Sequence, residues 1–364
     1  MHRPLLLAAA TLLLATSAAV ASPYAGEFLA TGIGARALGL GGAYTALVDD
    51  ASAPYWNPAA LPRVQQREVV YMHSERFADL VNYDSGALVF RARESSDGVR
   101  SAVGVGFVMT SIPGIRFNTT DPDKLFDLES GSDGDFTTAD PDGSQGNGRL
   151  DPGERLNLDL LANPDYAEEV SDRQTGLFLS YGRTNVFKEN LSMGSSVKFV
   201  RKAVGDYSAW GIGLDIGALY DYRENWSFGV NLQDATTTFL SWSGTPTEPT
   251  EYITPTLNVG TAYTRPMPSL QGTITLVGDA RVRFEDEVGS TFSTGGVPWD
   301  LRAGVEYWYR EAFALRLGNE RFGDDTNPFT VGAGIRVRRF AFDYAFRSHS
   351  DLDDIHRVSG GVRF

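Results

Sequence analysis

The last twenty-five residues alternate. Phe340, Phe342, Tyr344 and Phe346, then Val358, Gly360, Val362 and Phe364, occupy every second position, and Asp343, Arg347, Arg357 and Arg363 fall between them. A period of two predicts strands with two unlike faces. The pattern recurs upstream. Trp210, Ile212, Leu214, Ile216, Ala218, Tyr220 and Tyr222 oppose Gly211, Gly213, Asp215, Gly217, Leu219 and Asp221. Leu270, Ile274, Leu276, Ala280, Val282 and Phe284 oppose Gln271, Thr273, Thr275, Asp279, Arg281 and Arg283. Trp299, Leu301, Ala303, Val305, Tyr307 and Tyr309 oppose Asp300, Arg302, Glu306 and Arg310. One face is apolar and often ends in aromatics; the other is small or charged. That is the pattern of a barrel whose outer wall meets lipid and whose lumen is polar.

About fourteen such runs are legible, near 68–74, 84–93, 100–111, 175–184, 189–202, 207–222, 226–235, 256–265, 270–284, 299–309, 312–320, 328–337, 340–348 and 355–364. Most have the length of a tilted membrane strand. Outer-membrane barrels keep their turns short on the periplasmic side, where both chain ends also lie, and their loops longer outside. Counted back from Phe364, the connections at 338–339, 310–311, 266–269, 223–225 and 185–188 are short. Those at 349–354, 321–327, 285–298, 236–255 and 112–174 face the other way and include the long ones; 203–206 is short on that side. The expected fold is therefore all-β: a 14-stranded antiparallel transmembrane β-barrel.

Met1 to Ala21 reads as a cleaved signal peptide. Arg3 supplies the positive n-region, Leu5 to Val20 the apolar stretch, and Ala19-Val20-Ala21 the small-residue cleavage site. The chain has no cysteine, which excludes lipid attachment to cysteine, disulfides, thiolate metal sites and cysteine nucleophiles. Acidic residues outnumber basic ones, 46 to 32, which disfavours nucleic acid as a partner. Of the four histidines, His2 leaves with the signal, and His73, His349 and His356 lack metal spacing. Ser350 beside His349 reads as part of an outer turn, and no motif marks an enzyme.

Between the signal and the first strand stands Gly32-Ile33-Gly34-Ala35-Arg36-Ala37-Leu38-Gly39-Leu40-Gly41-Gly42-Ala43-Tyr44, then Asp49-Asp50-Ala51-Ser52-Ala53-Pro54-Tyr55-Trp56-Asn57-Pro58-Ala59-Ala60-Leu61-Pro62. No βαβ unit surrounds these glycines, so a dinucleotide fingerprint is a poor fit. A plug packed in the lumen fits better, because glycine lets backbone approach backbone. Asn57 and Pro58 read as the N-cap and first position of a short helix. Asp49 and Asp50 are expected to cap a turn or to pair with luminal arginines. The segment resembles the opening of the PorV/PorQ family, a branch of the FadL-like outer-membrane barrels. The resemblance covers about forty residues, chiefly Asp49-Asp50-Ala51-Ser52 and Trp56-Asn57-Pro58-Ala59. It implies fourteen strands with an N-terminal hatch, built or gated through Arg36, Gly41, Gly42, Asp49, Asp50, Asn57 and Pro58.

The resemblance implies two functions. PorV-like proteins hold exported proteins at the cell surface for a type IX secretion system; FadL passes hydrophobic molecules across the outer membrane. The N-terminal motif lies nearer the first, so docking or shuttling of secreted proteins is the leading expectation and hydrophobic uptake the alternative. Docking would use the loops at 112–174 and 236–255. Uptake would use an apolar pocket, for which Phe117, Leu125, Phe126, Phe136, Leu156 and Leu160 are candidates.

The largest loop also holds a calcium candidate. Asn147, Asp151 and Glu154 fall at the fifth, ninth and twelfth places of an EF-hand-type loop, and Gly148 at its sixth. The first half departs from the pattern, since Asp140 and Asp142 serve only with a two-residue insertion; a solvated acidic loop is the alternative. On the luminal face Asp279, Arg281, Arg283, Asp300, Arg302, Glu306, Arg316, Glu320, Arg336 and Asp343 are expected to pair with one another and with the hatch. The predicted organisation is a signal over 1–21, a hatch over 22–66 and a barrel over 67–364, with 112–174 inserted as an outer loop. The expected setting is the bacterial outer membrane. Its lipid and the barrel-assembly machinery are the expected general partners, with Phe364 as the terminal assembly signal. Secreted proteins, secretion-system components and hydrophobic small molecules are the specific ones.

Overall fold

The computed structural model describes residues 25–76, 80–91, 94–118, 155, 157, 167–245, 249–284, 291–294, 297–322, 329–348 and 354–364. The chain divides into two compact units, one of 1–111 with 173–364 and one of 112–172. Among the described residues, seventeen strands lie in one sheet. They are β1 (Glu68–Arg76), β2 (Val81–Arg91), β3 (Ser101–Asn118), β4 (Ala167–Arg183), β5 (Leu191–Val204), β6 (Tyr207–Tyr222), β7 (Trp226–Gln233), β8 (Thr238–Ser243), β9 (Thr250–Ile253), β10 (Thr256–Met267), β11 (Gly272–Arg283), β12 (Phe292–Thr294), β13 (Val297–Tyr309), β14 (Phe313–Asn319), β15 (Phe329–Val337), β16 (Phe340–Arg347) and β17 (Ile355–Arg363). Three of these, β8, β9 and β12, are short additions to one rim. The other fourteen form the antiparallel wall, and it closes where β1 pairs with both β2 and β17. Closure leaves no open edge, which is what allows strands to cross a bilayer.

The predicted faces hold. On β14, Leu315 and Leu317 are 68% and 63% exposed on the outer face, whereas Arg316 between them is 1% exposed on the inner face. Trp226 lies 6.0 Å from Phe228 and 4.8 Å from Tyr263 on the outer wall near the short turns. Arg223 covers Tyr222 at 4.9 Å and Arg310 covers Tyr309 at 5.1 Å at the same level. This is the aromatic border expected at a membrane interface. The short turns themselves take left-handed backbone at Arg223, Gln271, Arg310, Glu311 and Arg338. Such residues give a tight reversal the twist that adjacent strands require. Among the described residues no helix is long and apolar enough to span a membrane.

Three expectations need correction. The stretch 236–255 is not a plain loop: β8 and β9 form a hairpin, and β8 continues the wall by pairing with β6 beyond the end of β7. β12 likewise forms a short hairpin with the start of β13, pairing with Val297–Trp299. Thr238, Phe239, Leu240 and Trp242 carry the period-two signal there, but the run is short and lies beside Gly244 and Pro246. Second, β3 and β4 run well past the predicted ends at 111 and 175. Their far ends belong to the unit 112–172, within which Arg116 pairs with Glu169 at 3.4 Å. Third, Phe364 lies at the short-turn end, where its N–H bonds the Arg67 carbonyl at 2.9 Å, but the first described residues lie at the opposite rim. Glu27 pairs there with Arg283 at 2.7 Å, and Arg76 reaches Thr31.

Candidate functional site: the filled interior

Residues 25–64 run from that rim to the short-turn end along the inner face of the wall, and nearly all are buried. The segment has little regular structure. Single helical turns at Glu27–Ala30, Ala35–Leu38 and Ala53–Trp56, and a 3₁₀ helix at Pro58–Arg63, are joined by tight bends. A buried irregular backbone must find partners for its N–H and C=O groups. The wall supplies them. Asp279 accepts from the amides of Tyr44 and Thr45 at 3.0 and 2.9 Å. Ser359 accepts from Ala35 N at 2.7 Å, and Thr330 from Gly41 N at 3.1 Å. Asn231 donates to Trp56 O at 2.9 Å, Ser196 to Pro54 O at 3.0 Å and Arg357 to Gly32 O at 3.1 Å.

The predicted plug residues each have a place in this packing. Arg36 projects from the turn Ala35–Leu38. Its Nε and Nη2 donate to both oxygens of Glu306 on β13, each at 2.8 Å, and its Nη1 donates to Asp49. Glu306 also accepts from Arg316 Nε at 2.7 Å, and Arg316 reaches Asp343 at 2.7 Å. The five side chains alternate in sign from the plug into β13, β14 and β16, so each buried charge has an opposite neighbour. Asp50 lies 3.8 Å from Arg36 Nη1 and also closes a local turn. It accepts from Ser52 N at 2.9 Å, from Ser52 Oγ, and from the Tyr44 hydroxyl at 2.6 Å. Burial pushes the Tyr44 phenol well above its ordinary range; Arg36 offsets part of the rise and Asp50 adds to it, so the hydroxyl stays a donor.

Asn57 caps the 3₁₀ helix that Pro58 begins: its Oδ1 accepts from Ala59 N at 3.1 Å. Its Nδ2 faces three carbonyls, of Thr45, Ala218 and Val230, at 3.1, 3.3 and 3.4 Å. The side chain thus joins two parts of the plug to β6 and β7. Gly41 and Gly42 take φ of 66° and 73°, which favours glycine. Gly41 packs against the backbone of Asn319, and Gly42 against the Arg302 side chain.

Sequence reasoning did not single out the wall residues that make this contact possible. A Cβ on Gly229 would stand 2.6 Å from Thr45 O, and one on Gly304 would stand 2.6 Å from Leu40 O. Gly182, Gly194 and Gly318 face the plug backbone just as closely, and Gly217 faces the Asn57 side chain. Gly194 pairs with Gly217, Gly229 with Gly260 and Gly304 with Gly318 across neighbouring strands, giving smooth patches on the inner wall. The signal was available: the inward positions of β5, β6, β7, β13 and β14 carry glycine where a water-filled lumen would carry polar side chains. A second missed cluster is Lys198, held between Asp215 and Asp234 at 2.9 and 2.7 Å and almost fully buried.

The luminal charges pair largely as expected. Asp300 meets Arg321 at 3.0 Å, Glu320 meets Arg347, and Arg283 meets Glu27. At the rim a cavity of about 30 Å³ lies beside Tyr55, Phe178 and Ile253. At the short-turn end a cavity of about 540 Å³ opens among charged residues. The calcium candidates Asp140, Asp142, Asn147, Asp151 and Glu154 lie outside the described residues, as do the pocket candidates Leu125, Phe126, Phe136, Leu156 and Leu160 and the pair His349 and Ser350. Among the described residues no cluster of three or more metal-ligating side chains has metal geometry.

No protein-family model matches the chain, and no curated protein matches it. Solved structures do. The toluene transporter TbuX of Ralstonia pickettii is 13% identical, with 92% of this chain and 98% of that one covered at a TM-score of 0.51. The deltaS2S3 mutant of the monoaromatic hydrocarbon channel TodX is 14% identical, with 92% and 99% covered at 0.50. A FadL homologue of Pseudomonas aeruginosa is 13% identical, with 91% and 98% covered at 0.50. At such identities the likeness is one of fold, and it extends along nearly the whole of each chain: the protein has the architecture of the FadL-type outer-membrane barrels.

Proposed function

We propose that this protein is an outer-membrane channel for hydrophobic small molecules, with residues 25–64 as the plug of its lumen. The observation that carries the proposal is the filled interior. A general porin needs an open aqueous bore, whereas here buried backbone and ion pairs occupy the barrel. A plugged barrel suits solutes that must be selected one at a time. The fold shared with a toluene transporter, a monoaromatic hydrocarbon channel and a FadL homologue supports the same reading. The apolar outer wall, the aromatic border and the signal-like opening of the chain support export to, and insertion in, the outer membrane.

Protein docking draws less support. The residues that resemble PorV/PorQ proteins are largely buried in the interior. The loop 112–174 that would bear the cargo lies mostly outside the described residues. The test is uptake. Gram-negative cells lacking their own hydrocarbon and fatty-acid channels should take up labelled toluene or oleate faster when they carry this protein. Uptake equal to that of empty-vector cells, with the barrel present in the outer membrane, would overturn the reading. Secretion components recovered with the barrel, and lost on deletion of 112–174, would favour docking instead.

A further inference from the structure

The cavity of about 540 Å³ at the short-turn end is lined by both signs of charge, but the two signs are not equally engaged. Two of its arginines are already held. Arg63 donates to Ala46 O at 2.7 Å and to Ser227 Oγ at 2.8 Å, and pairs with Asp221. Arg363 pairs with Glu68 at 3.3 Å. Two of its three carboxylates are likewise taken, Glu68 by Arg363 and Asp49 by Arg36.

That leaves Arg336, Arg338 and Arg339. Among the described residues none of the three has an ion pair, and Glu311 is the one lining carboxylate without a partner. They share a short run: Arg336 near the end of β15, Arg338 and Arg339 in the two-residue turn before β16. Arg336 is held in place, its guanidinium 4.0 Å above the Trp308 ring, which is itself packed into the interior. The backbone of Arg338 takes a φ of 53° in the turn. Three guanidiniums thus line a cavity of ligand size, and guanidinium recognises carboxylate or phosphate by paired N–H donors.

We propose that this cavity is an oxyanion-binding site, taking the carboxylate or phosphate group of a small molecule at the short-turn end of the barrel. The proposal does not depend on the transport reading. The oxyanion can arrive as the head of an amphiphile or as a free anion, and the test separates the two. Full-length protein in a nonionic detergent is titrated calorimetrically with octanoate, with octanol and with inorganic phosphate. Octanoate is expected to bind and octanol to bind far more weakly. The triple variant Arg336→Gln/Arg338→Gln/Arg339→Gln should weaken octanoate by at least about tenfold, a loss of about 1.4 kcal/mol, while Arg310→Gln in a neighbouring turn should not. The turn substitution Arg339→Gln alone should show a smaller loss in the same direction if the triple variant fails to assemble.

Phosphate competing with octanoate at equal affinity would assign the site to free anions. Octanoate binding well ahead of phosphate would assign it to amphiphiles. No binding of either anion, or binding unchanged in the arginine variants, would overturn the proposal. Cellular toluene uptake is measured on the same variants. Its loss or retention bears on the channel reading and leaves the binding result to stand alone.

Discussion

Arg36 of the plug grips both carboxylate oxygens of Glu306 on β13, at 2.8 Å each, across 270 residues of sequence. Glu306 is shared with Arg316, and Arg36 with Asp49, so the contact is the centre of a chain and not an isolated pair. Breaking a buried pair by removing one partner costs about 3–5 kcal/mol, because the other charge is left uncompensated. Arg36→Ala should therefore loosen the plug without unmaking the barrel. The expected outcome is raised or unsteady conductance in planar bilayers, with heat-modifiable migration on gels retained. Glu306→Gln should do the same more mildly, since one amide oxygen at the Oε2 position can still accept from Nε of both arginines, while the NH2 loses the bond from Arg36 Nη2. Conductance like that of the wild type in both variants would contradict the assignment.

The inward glycines allow a sharper test. Gly304→Ala places a Cβ against the Leu40 backbone, which has no flexible side-chain end to yield. Overpacking of this kind costs about 1–3 kcal/mol, and here it falls on the plug–wall contact. Protease should cut the 25–64 segment faster in Gly304→Ala and in Gly229→Ala. Gly278→Ala is the control, as its added Cβ would meet nothing closer than 3.8 Å.

Asn57 bonds in two directions, and two replacements distinguish them. Asn57→Asp keeps the acceptor that caps Ala59 but loses the amide donor facing Thr45, Ala218 and Val230. It also places a charge among three carbonyls and should be the more damaging. Asn57→Ala should cost about 1–2 kcal/mol, the usual price of a lost N-cap, with some further loss from the unpaired carbonyls. Denaturant melts of the purified variants in detergent would rank them.

The outer wall makes its own prediction. Leu317→Arg sets a cation on the apolar face, which costs about 2–4 kcal/mol at the bilayer midplane. The variant should reach the outer membrane in reduced amount. Leu317→Phe should accumulate normally. Equal yields of the arginine variant would mean that this face does not meet hydrocarbon.

Much of this was legible in the chain. Alternation alone located the fourteen wall strands, because a period of two leaves no other regular structure able to sort the side chains to two faces. It also placed Glu306, Arg316 and Asp343 inside. The cap at Asn57 and Pro58 was local and therefore readable. The hairpin of β8 and β9 was harder to read, since its strands are short and their wall partner, β6, ends a hairpin earlier in the chain.

What the sequence determined by itself was strand number, face and the presence of a glycine-rich segment able to pack closely, all properties of neighbours along the chain. Only the tertiary structure decided that Arg36 meets Glu306, that the segment starts at the rim opposite Phe364, and that Arg336, Arg338 and Arg339 line one cavity with no contact ion pair among the described residues. Those outcomes depend on which inward positions face one another once the wall closes, and closure brings together residues that no local pattern connects.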